Sequence, residues 1–152
     1  MPTPGTRTLV AVLCALAGSA AAQTIGANVP LAFGTFIAGS GGTVAIAPSG
    51  GRAASGGVFL VGQGAGASAA QFTVLGTPNA TYSITLPGNN VVVLTDANSN
   101  TMSVNSFLST PGPAGTLSGG GSQSVRVGAT LVVGNNQPPG IYSGTFTVTV
   151  NY

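Results

Sequence analysis

The sequence predicts an all-β protein, an antiparallel sandwich of roughly eight to nine strands. Its apolar residues come in short runs separated by glycine, proline, serine and asparagine, which is typical of strands and turns. The C-terminal residues alternate between apolar and polar types, as in a half-buried strand. No amphipathic helical pattern follows the N-terminal apolar segment. Together these observations favour strands throughout the chain.

Residues 1–22 have the three parts of a secretory signal peptide. Arg7 supplies the positive charge, residues 9–17 form an unbroken apolar run, and residues 20–22 are three alanines suited to a signal peptidase. The apolar run is about ten residues long, too short for the ~20 helical residues that cross a bilayer. We therefore expect a transient contact with the membrane through this leader, and one domain over residues 23–152.

The single cysteine, Cys14, lies inside the apolar run. A lipoprotein leader would instead place its cysteine at the end of such a run, after small residues. We expect Cys14 to leave with the leader, so that the domain has no disulfide although its compartment would permit one.

The segment after the predicted leader has apolar residues at every second position. These residues are Ile25, Ala27, Val29, Leu31 and Phe33. Pro30 lies on the opposite face and lacks a backbone donor, which favours an edge strand or an added strand over a central one.

Shorter strands are predicted in the middle of the chain, where apolar and β-branched runs are bounded by turn sequences such as Pro87-Gly88. They cover residues 43–47, 58–61, 71–75, 81–86, 91–95 and 102–107.

The last strand has the clearest pattern, with threonines on one face and apolar residues or glycine on the other. Its apolar residues are Tyr142, Phe146, Val148, Val150 and Tyr152. Pro138, Pro139 and Gly140 predict a turn before it. Because residues 125–133 alternate in the same way, the two segments together predict a long C-terminal hairpin.

Charged residues make up only 3% of the chain, against about 25% in an ordinary soluble domain. They are Arg7, Arg52, Arg126 and Asp96. Nucleic-acid binding is excluded because three arginines cannot form a basic patch. Without histidine and with one carboxylate side chain, the chain lacks the usual general bases, carboxylate pairs and metal ligands. The sequence therefore predicts a non-catalytic protein with no cofactor and no metal.

Two polar features have simple structural interpretations. Residues 96–100 resemble the start of a calcium loop, but Thr101 stands where that loop needs glycine and the chain has no glutamate to complete it. We interpret them as a turn stabilised by Asp and Asn side chains. Arg52 and Arg126 are interpreted as solvated side chains.

Five segments carry a recognisable pattern when taken in order: the Leu-Ala-Phe-Gly sequence at 31–34 and the stretches at 70–76, 82–87, 127–131 and 140–152. Together they resemble the domain-of-unknown-function 4402 family of secreted bacterial proteins. That family is similar to the spore-coat-U and archaic chaperone–usher pilin subunits, which are immunoglobulin-like sandwiches. The resemblance implies an immunoglobulin-like fold. It also implies a C-terminal assembly strand engaged by a periplasmic chaperone, and an N-terminal strand over Ile25 to Phe33 that completes a neighbouring subunit.

The leading functional hypothesis is a secreted structural protein, a fimbria-like or surface-coat subunit assembled by β-strand addition. Its partners would be copies of itself or related subunits, with a periplasmic chaperone and usher, on a route through the periplasm to the cell surface or extracellular space. The scarcity of charge supports this, because sheet edges are usually protected by charges. The alternatives are a monomeric secreted binding or adhesion module, and a small outer-membrane β-barrel.

Overall fold

The computed structural model describes residues 24–62 and 66–151, together with the backbone of residues 6–17. The described residues form fifteen strands and no helix. The strands are β1 (Thr6–Ala17), β2 (Thr24–Val29), β3 (Ala32–Phe33), β4 (Thr35–Ile37), β5 (Gly42–Ile46), β6 (Arg52–Gly56), β7 (Phe59–Val61), β8 (Ala67–Ser68), β9 (Ala70–Leu75), β10 (Thr81–Thr85), β11 (Val92–Thr95), β12 (Thr101–Thr110), β13 (Ala114–Thr116), β14 (Ser122–Val133) and β15 (Gly140–Asn151).

Eleven of these strands form one continuous hydrogen-bonded sheet. One part runs β2-β9-β14-β12, with β5 and β6 added beside the second half of β14. The other part places β10 and β11 next to β15, and the β11–β12 hairpin joins the two parts. The pairs β3–β8 and β4–β7 form two small separate ladders.

The sheet folds over so that its two parts face each other across one core. The ring of Phe72 on β9 meets the ring of Phe146 on β15 edge-to-face, with 6.2 Å between centroids, and Phe107 on β12 lies 5.1 Å from Phe146. Burial alternates along the strands, for example at Tyr82 and Ile84 of β10, as a half-buried sheet requires. The predicted all-β sandwich is therefore confirmed.

The predicted central strands are confirmed at nearly their expected positions. The largest difference is β12, which continues to Thr110 beyond the predicted end at 107. Its pairing with β14 shifts register between Asn105 and Leu108, where Ser106 has a left-handed backbone (φ 54°). Because this bulge interrupts the alternation of apolar and polar residues, the sequence pattern does not show that the strand continues beyond it.

The predicted C-terminal hairpin is wrong, because β14 and β15 do not pair. β14 pairs with β12 on one edge and with β9 and β5 on the other, whereas β15 pairs with β10 and β11. The connection between them thus crosses from one part of the sheet to the other. The alternation of apolar and polar residues specifies which face of a strand is buried, but not which strand lies beside it. The pairing of β14 with β15 was predicted only because the two are adjacent in the sequence.

Tyr142 fixes this crossing at the start of β15. Its hydroxyl donates a hydrogen bond to the carbonyl of Pro138 (2.7 Å) and accepts one from Nε2 of Gln137 (3.0 Å), while the ring is fully buried. A buried tyrosine that bonds back to the backbone a few residues upstream is the tyrosine corner of immunoglobulin-like sandwiches. It therefore supports the immunoglobulin-like architecture and identifies β15 with the strand that follows that corner.

The interpretation of Arg52 as a solvated side chain is wrong. Its guanidinium donates hydrogen bonds to the carbonyls of Phe33, Thr35 and Val61 at 2.9–3.1 Å, and so joins β3, β4 and β7. Partial burial lowers the pKa of Arg52 from its ordinary value by desolvation. Arg126, by contrast, is exposed as expected.

The turn interpretation at residues 96–100 is confirmed. Oδ1 of Asp96 accepts hydrogen bonds from the backbone amides of Asn98 (2.9 Å) and Asn100 (2.8 Å), and Oδ2 accepts one from the side-chain amide of Asn100 (2.9 Å). The side-chain bond from Asn100 and these backbone bonds lower the pKa of Asp96. Its oxygens thus stabilise the β11–β12 turn.

Candidate functional site

The candidate site is one edge of β15. The opposite edge is occupied by two strands in succession: β11 pairs at Ser143, and β10 pairs from Thr149 to Asn151. On the candidate edge, no strand from residues 24–62 or 66–151 pairs with β15. Residues 24–62 and 66–151 thus form a sandwich in which a strand of twelve residues has one edge without a partner from these residues.

The N-terminal strand β1 occupies this edge. It runs parallel to β15 and pairs with it along its whole length, from Thr6 opposite Gly140 to Ala17 opposite Asn151. The other ladders of the fold are antiparallel. The edge therefore accepts a complete extended strand from outside the sandwich.

Among strands β2 to β15, the other edge strands of the sheet have features that discourage strand addition. β13 has three residues and follows Pro113, β6 begins with Arg52, and β2 is followed by Pro30. Short length, charge and proline are common means of protecting an edge. β15 has twelve residues and contains neither a charged residue nor a proline. It is the edge with the least protection against another strand.

The predicted assembly residues of β15 face the core. Tyr142, Phe146, Val148 and Val150 are all buried, and the Ser and Thr residues between them face outwards. Tyr152 lies outside the described residues. An added strand would thus bond to the backbone edge of β15 and lie beside the core. The four buried side chains anchor β15 in that core.

The predicted N-terminal donor residues lie within their own domain, in β2 and β3 and at Leu31 between them. β2 is antiparallel to β9, with a register shift between Ala27 and Val29. The side chain of Ile25 packs against the core, whereas Ala27 is exposed and Val29 is half-buried. The last two predicted donor residues, Leu31 and Phe33, are fully buried.

A second feature is a cleft on the opposite edge of β15. Between its contacts with β11 and β10, the middle of β15 borders a cleft of about 300 Å³. Leu86, Val92 and Phe146 contribute apolar surface, and Thr145 and Thr147 border the cleft as well. None of its lining residues is charged.

The described residues offer little for metal or membrane chemistry. They contain no group of three or more His, Cys, Asp or Glu side chains that could hold a metal ion. Nor do they include a helix with the length and apolarity to cross a bilayer.

Sequence reasoning missed two features of this site. The pairing of β1 with β15 could not be inferred because the apolar run at 9–17 also fits a secretory leader. The corner formed by Tyr142 and Gln137 had a signal, a tyrosine shortly after Pro138-Pro139-Gly140 at the start of a strand.

Comparison with protein families gives a match over most of the chain. The sequence pattern of the domain of unknown function DUF4402 matches residues 23–152, the residues that remain after the predicted leader. No curated protein matches the chain. The matched region contains every strand from β2 to β15 and leaves out β1. On the strength of this match over nearly the whole length, the chain belongs to the DUF4402 family.

Proposed function

We propose that the chain is a non-catalytic secreted structural protein, a subunit of a surface fibre or coat assembled by β-strand addition at the β15 edge. The observation behind the proposal is that this edge pairs with a strand from outside the DUF4402 domain, while the described residues of the domain provide none. Strand addition needs such an edge, because backbone hydrogen bonds provide the affinity.

The chemistry of β15 supports the same function. An uncharged edge of this length attracts other strands, and unprotected edges of this kind are sites of aggregation. A protein that exposes one therefore needs a partner for it. The partners we propose are copies of the chain or related subunits, with a periplasmic chaperone and usher in transit. The leader pattern supports a route through the periplasm to the cell surface or extracellular space.

The N-terminal segment is a poor donor in its present conformation. Withdrawing residues 31–33 to serve another subunit would remove Leu31 and Phe33 from the core. Truncating a single buried Leu or Phe to Ala already costs about 2–5 kcal/mol. A donor from this segment would therefore be limited to β2, where Ile25 and Val29 are half-buried and the pairing with β9 is irregular.

A monomeric secreted binding or adhesion module is the second candidate. The cleft beside Thr145 and Thr147 favours it, since its hydroxyl and apolar lining would suit a small uncharged ligand. Such a module would stay monomeric in the absence of ligand.

The test adds charge to the β15 edge without disturbing the core. Val148 and Val150 are unsuitable for it because they are buried, and an aspartate there would unfold the domain. The double variant Thr145→Lys/Thr147→Lys places two lysines at exposed positions of β15. The matched control, Thr81→Lys/Ser83→Lys, adds the same charge at exposed positions of β10, an inner strand between β13 and β15.

Each full chain is exported from a Gram-negative host, and its size is measured by light scattering and on unheated SDS gels. We expect ladders for the wild type and the control, and monomers for the β15 variant. Equal ladders in both variants would show that assembly does not use this edge. A folded, monomeric wild type would overturn the fibre function and leave the binding module.

A further inference from the structure

We propose that residues 6–17 form an intramolecular cap on the β15 edge, which blocks assembly for as long as the leader remains attached. The inference rests on the proposed function in that it concerns the same edge. It adds the occupant of that edge, a segment of the same chain, and the event that exposes it, removal of the leader.

The first argument is the completeness of the pairing. β1 and β15 each have twelve residues and pair over all of them without a register shift. The β2–β9 and β12–β14 ladders both contain such a shift. Within the described residues, this leaves no part of the β15 edge open to a second strand.

The second argument is the register. The buried residues Phe146, Val148 and Val150 are level with Val12, Cys14 and Leu16, respectively. Because neighbouring residues in a ladder lie on the same face of a sheet, these β1 positions belong to the core-facing row. The intervening positions, such as Leu13 opposite Thr147, belong to the outward row. The cap thus requires apolar residues only at the core-facing positions of β1. A secretory leader requires an unbroken apolar run, which includes the outward positions as well.

The third argument is the tether. Six residues, 18–23, separate the end of β1 from the start of β2. A strand on a short tether has an effective concentration on the order of millimolar at its own site. It therefore competes well with strands of other copies, which meet the edge at their free concentration. Cleavage after residue 22 removes this advantage, since the leader peptide is then diluted.

Hydrogen exchange on the full chain, refolded with its leader attached, tests the cap. Alternate amides of a strand point to opposite edges, so loss of β1 should expose every second amide of β15. We compare Val12→Asp, in the core-facing row, with Leu13→Asp, in the outward row. Both replace an aliphatic residue by the same charge, so a general effect of lower hydropathy or added charge would be equal in the two variants.

We expect the wild type and Leu13→Asp to protect the β1-facing amides of β15 and those bonded to β10 and β11. In Val12→Asp the β1-facing amides should exchange at least about tenfold faster, while the amides bonded to β10 and β11 keep their protection. A chain that starts at Gln23 should show the same alternating pattern as Val12→Asp. Equal exchange in Val12→Asp and Leu13→Asp would overturn the cap. Faster exchange throughout β9 and β14 in Val12→Asp would also overturn it, because β1 would then be an integral strand of the core.

Assembly is measured separately, which distinguishes this proposal from the function on which it rests. If the leader-bearing chain forms SDS-resistant ladders as readily as the exported chain, the cap is overturned and the proposed function stands. If the exported chain stays monomeric while hydrogen exchange shows the alternating pattern, the proposed function fails and the cap stands.

Discussion

Arg52 shows how much one side chain can contribute in a chain that is almost free of charge. Three carbonyls from three short strands converge on its guanidinium. All three strands have only two or three residues, too few to be held by their own ladders. The planar guanidinium, with five donors, can bond several acceptors in fixed directions. Arg52 therefore holds together the part of the fold that the sheet itself secures least.

We predict that Arg52→Lys lowers the free energy of unfolding by about 1–3 kcal/mol, the usual cost of hydrogen bonds lost around a buried group. A lysine keeps the charge but cannot reproduce the fork of donors. The measurement is urea unfolding followed by circular dichroism. Arg126→Lys is the control, because Arg126 is exposed, and its effect should lie within about 0.5 kcal/mol. Equal effects of the two substitutions would contradict the role given to Arg52.

At the scale of the strands, β14 pairs with three others, β12, β9 and β5. One of its edges serves two partners in succession, β9 up to Val127 and β5 from Ala129 onwards. Gly128 lies where the partner changes, and the backbone of Ile46, Ala47 and Pro48 passes so close that a Cβ on Gly128 would clash with it. Glycine is required at this point because β9 and β5 meet there beside β14, and their approach leaves no room for a side chain.

The substitution Gly128→Ala is predicted to lower the free energy of unfolding by about 1–3 kcal/mol, as overpacking of a rigid interior does. The clash involves backbone atoms, which cannot rotate away as a flexible side chain would. Gly26→Ala in β2 is the control, because no atom lies within 4 Å of the added methyl group. Both variants are compared by thermal unfolding. A loss of stability in Gly26→Ala as large as that in Gly128→Ala would show that the close approach at Gly128 is not responsible.

For the whole molecule, the shortage of ionisable groups has a direct consequence for stability. The chain has one carboxylate side chain, Asp96, and no histidine. The hydrogen bonds from Asn100 and Asn98 lower the pKa of Asp96 in the folded protein. A depressed folded pKa contributes stability that is present above the unfolded pKa and is lost as the pH falls through the folded value.

The melting temperature of residues 23–152 should therefore be nearly constant between about pH 5 and 8, because they contain no histidine or cysteine and their one carboxylate titrates at lower pH. Below about pH 4, the usual range of an aspartate, it should begin to fall. Asp96→Asn should show a smaller fall, since its side chain does not titrate. Scanning calorimetry of both proteins from acid to neutral pH provides the comparison. Coinciding acid transitions would show that Asp96 does not contribute.

The same shortage of charge makes sheet edges the main determinant of how the molecule associates. Proline, short length or Arg52 protects the other edges, so one long edge remains for a partner strand. In the structure that partner is β1. The proposed assembly function and the proposed cap both follow from this asymmetry between edges.

The sequence by itself determined the all-β class, most strand positions and the buried face of β15. These follow from local alternation and from turn residues, which act over a few positions of the chain. Asp96 and its turn were likewise predictable, because the bonds that hold it span at most four residues.

Only the tertiary structure decided which strands are neighbours. It separated β14 from β15, brought Arg52 to the carbonyls of β3, β4 and β7, and set β1 against the open edge. Pairing partners are chosen by the closure of the whole sheet around one core, and alternation within a strand carries no information about that choice. The candidate site is an edge, defined by the absence of a neighbouring strand from the described residues of its own domain, so it could be recognised only once the neighbours were known.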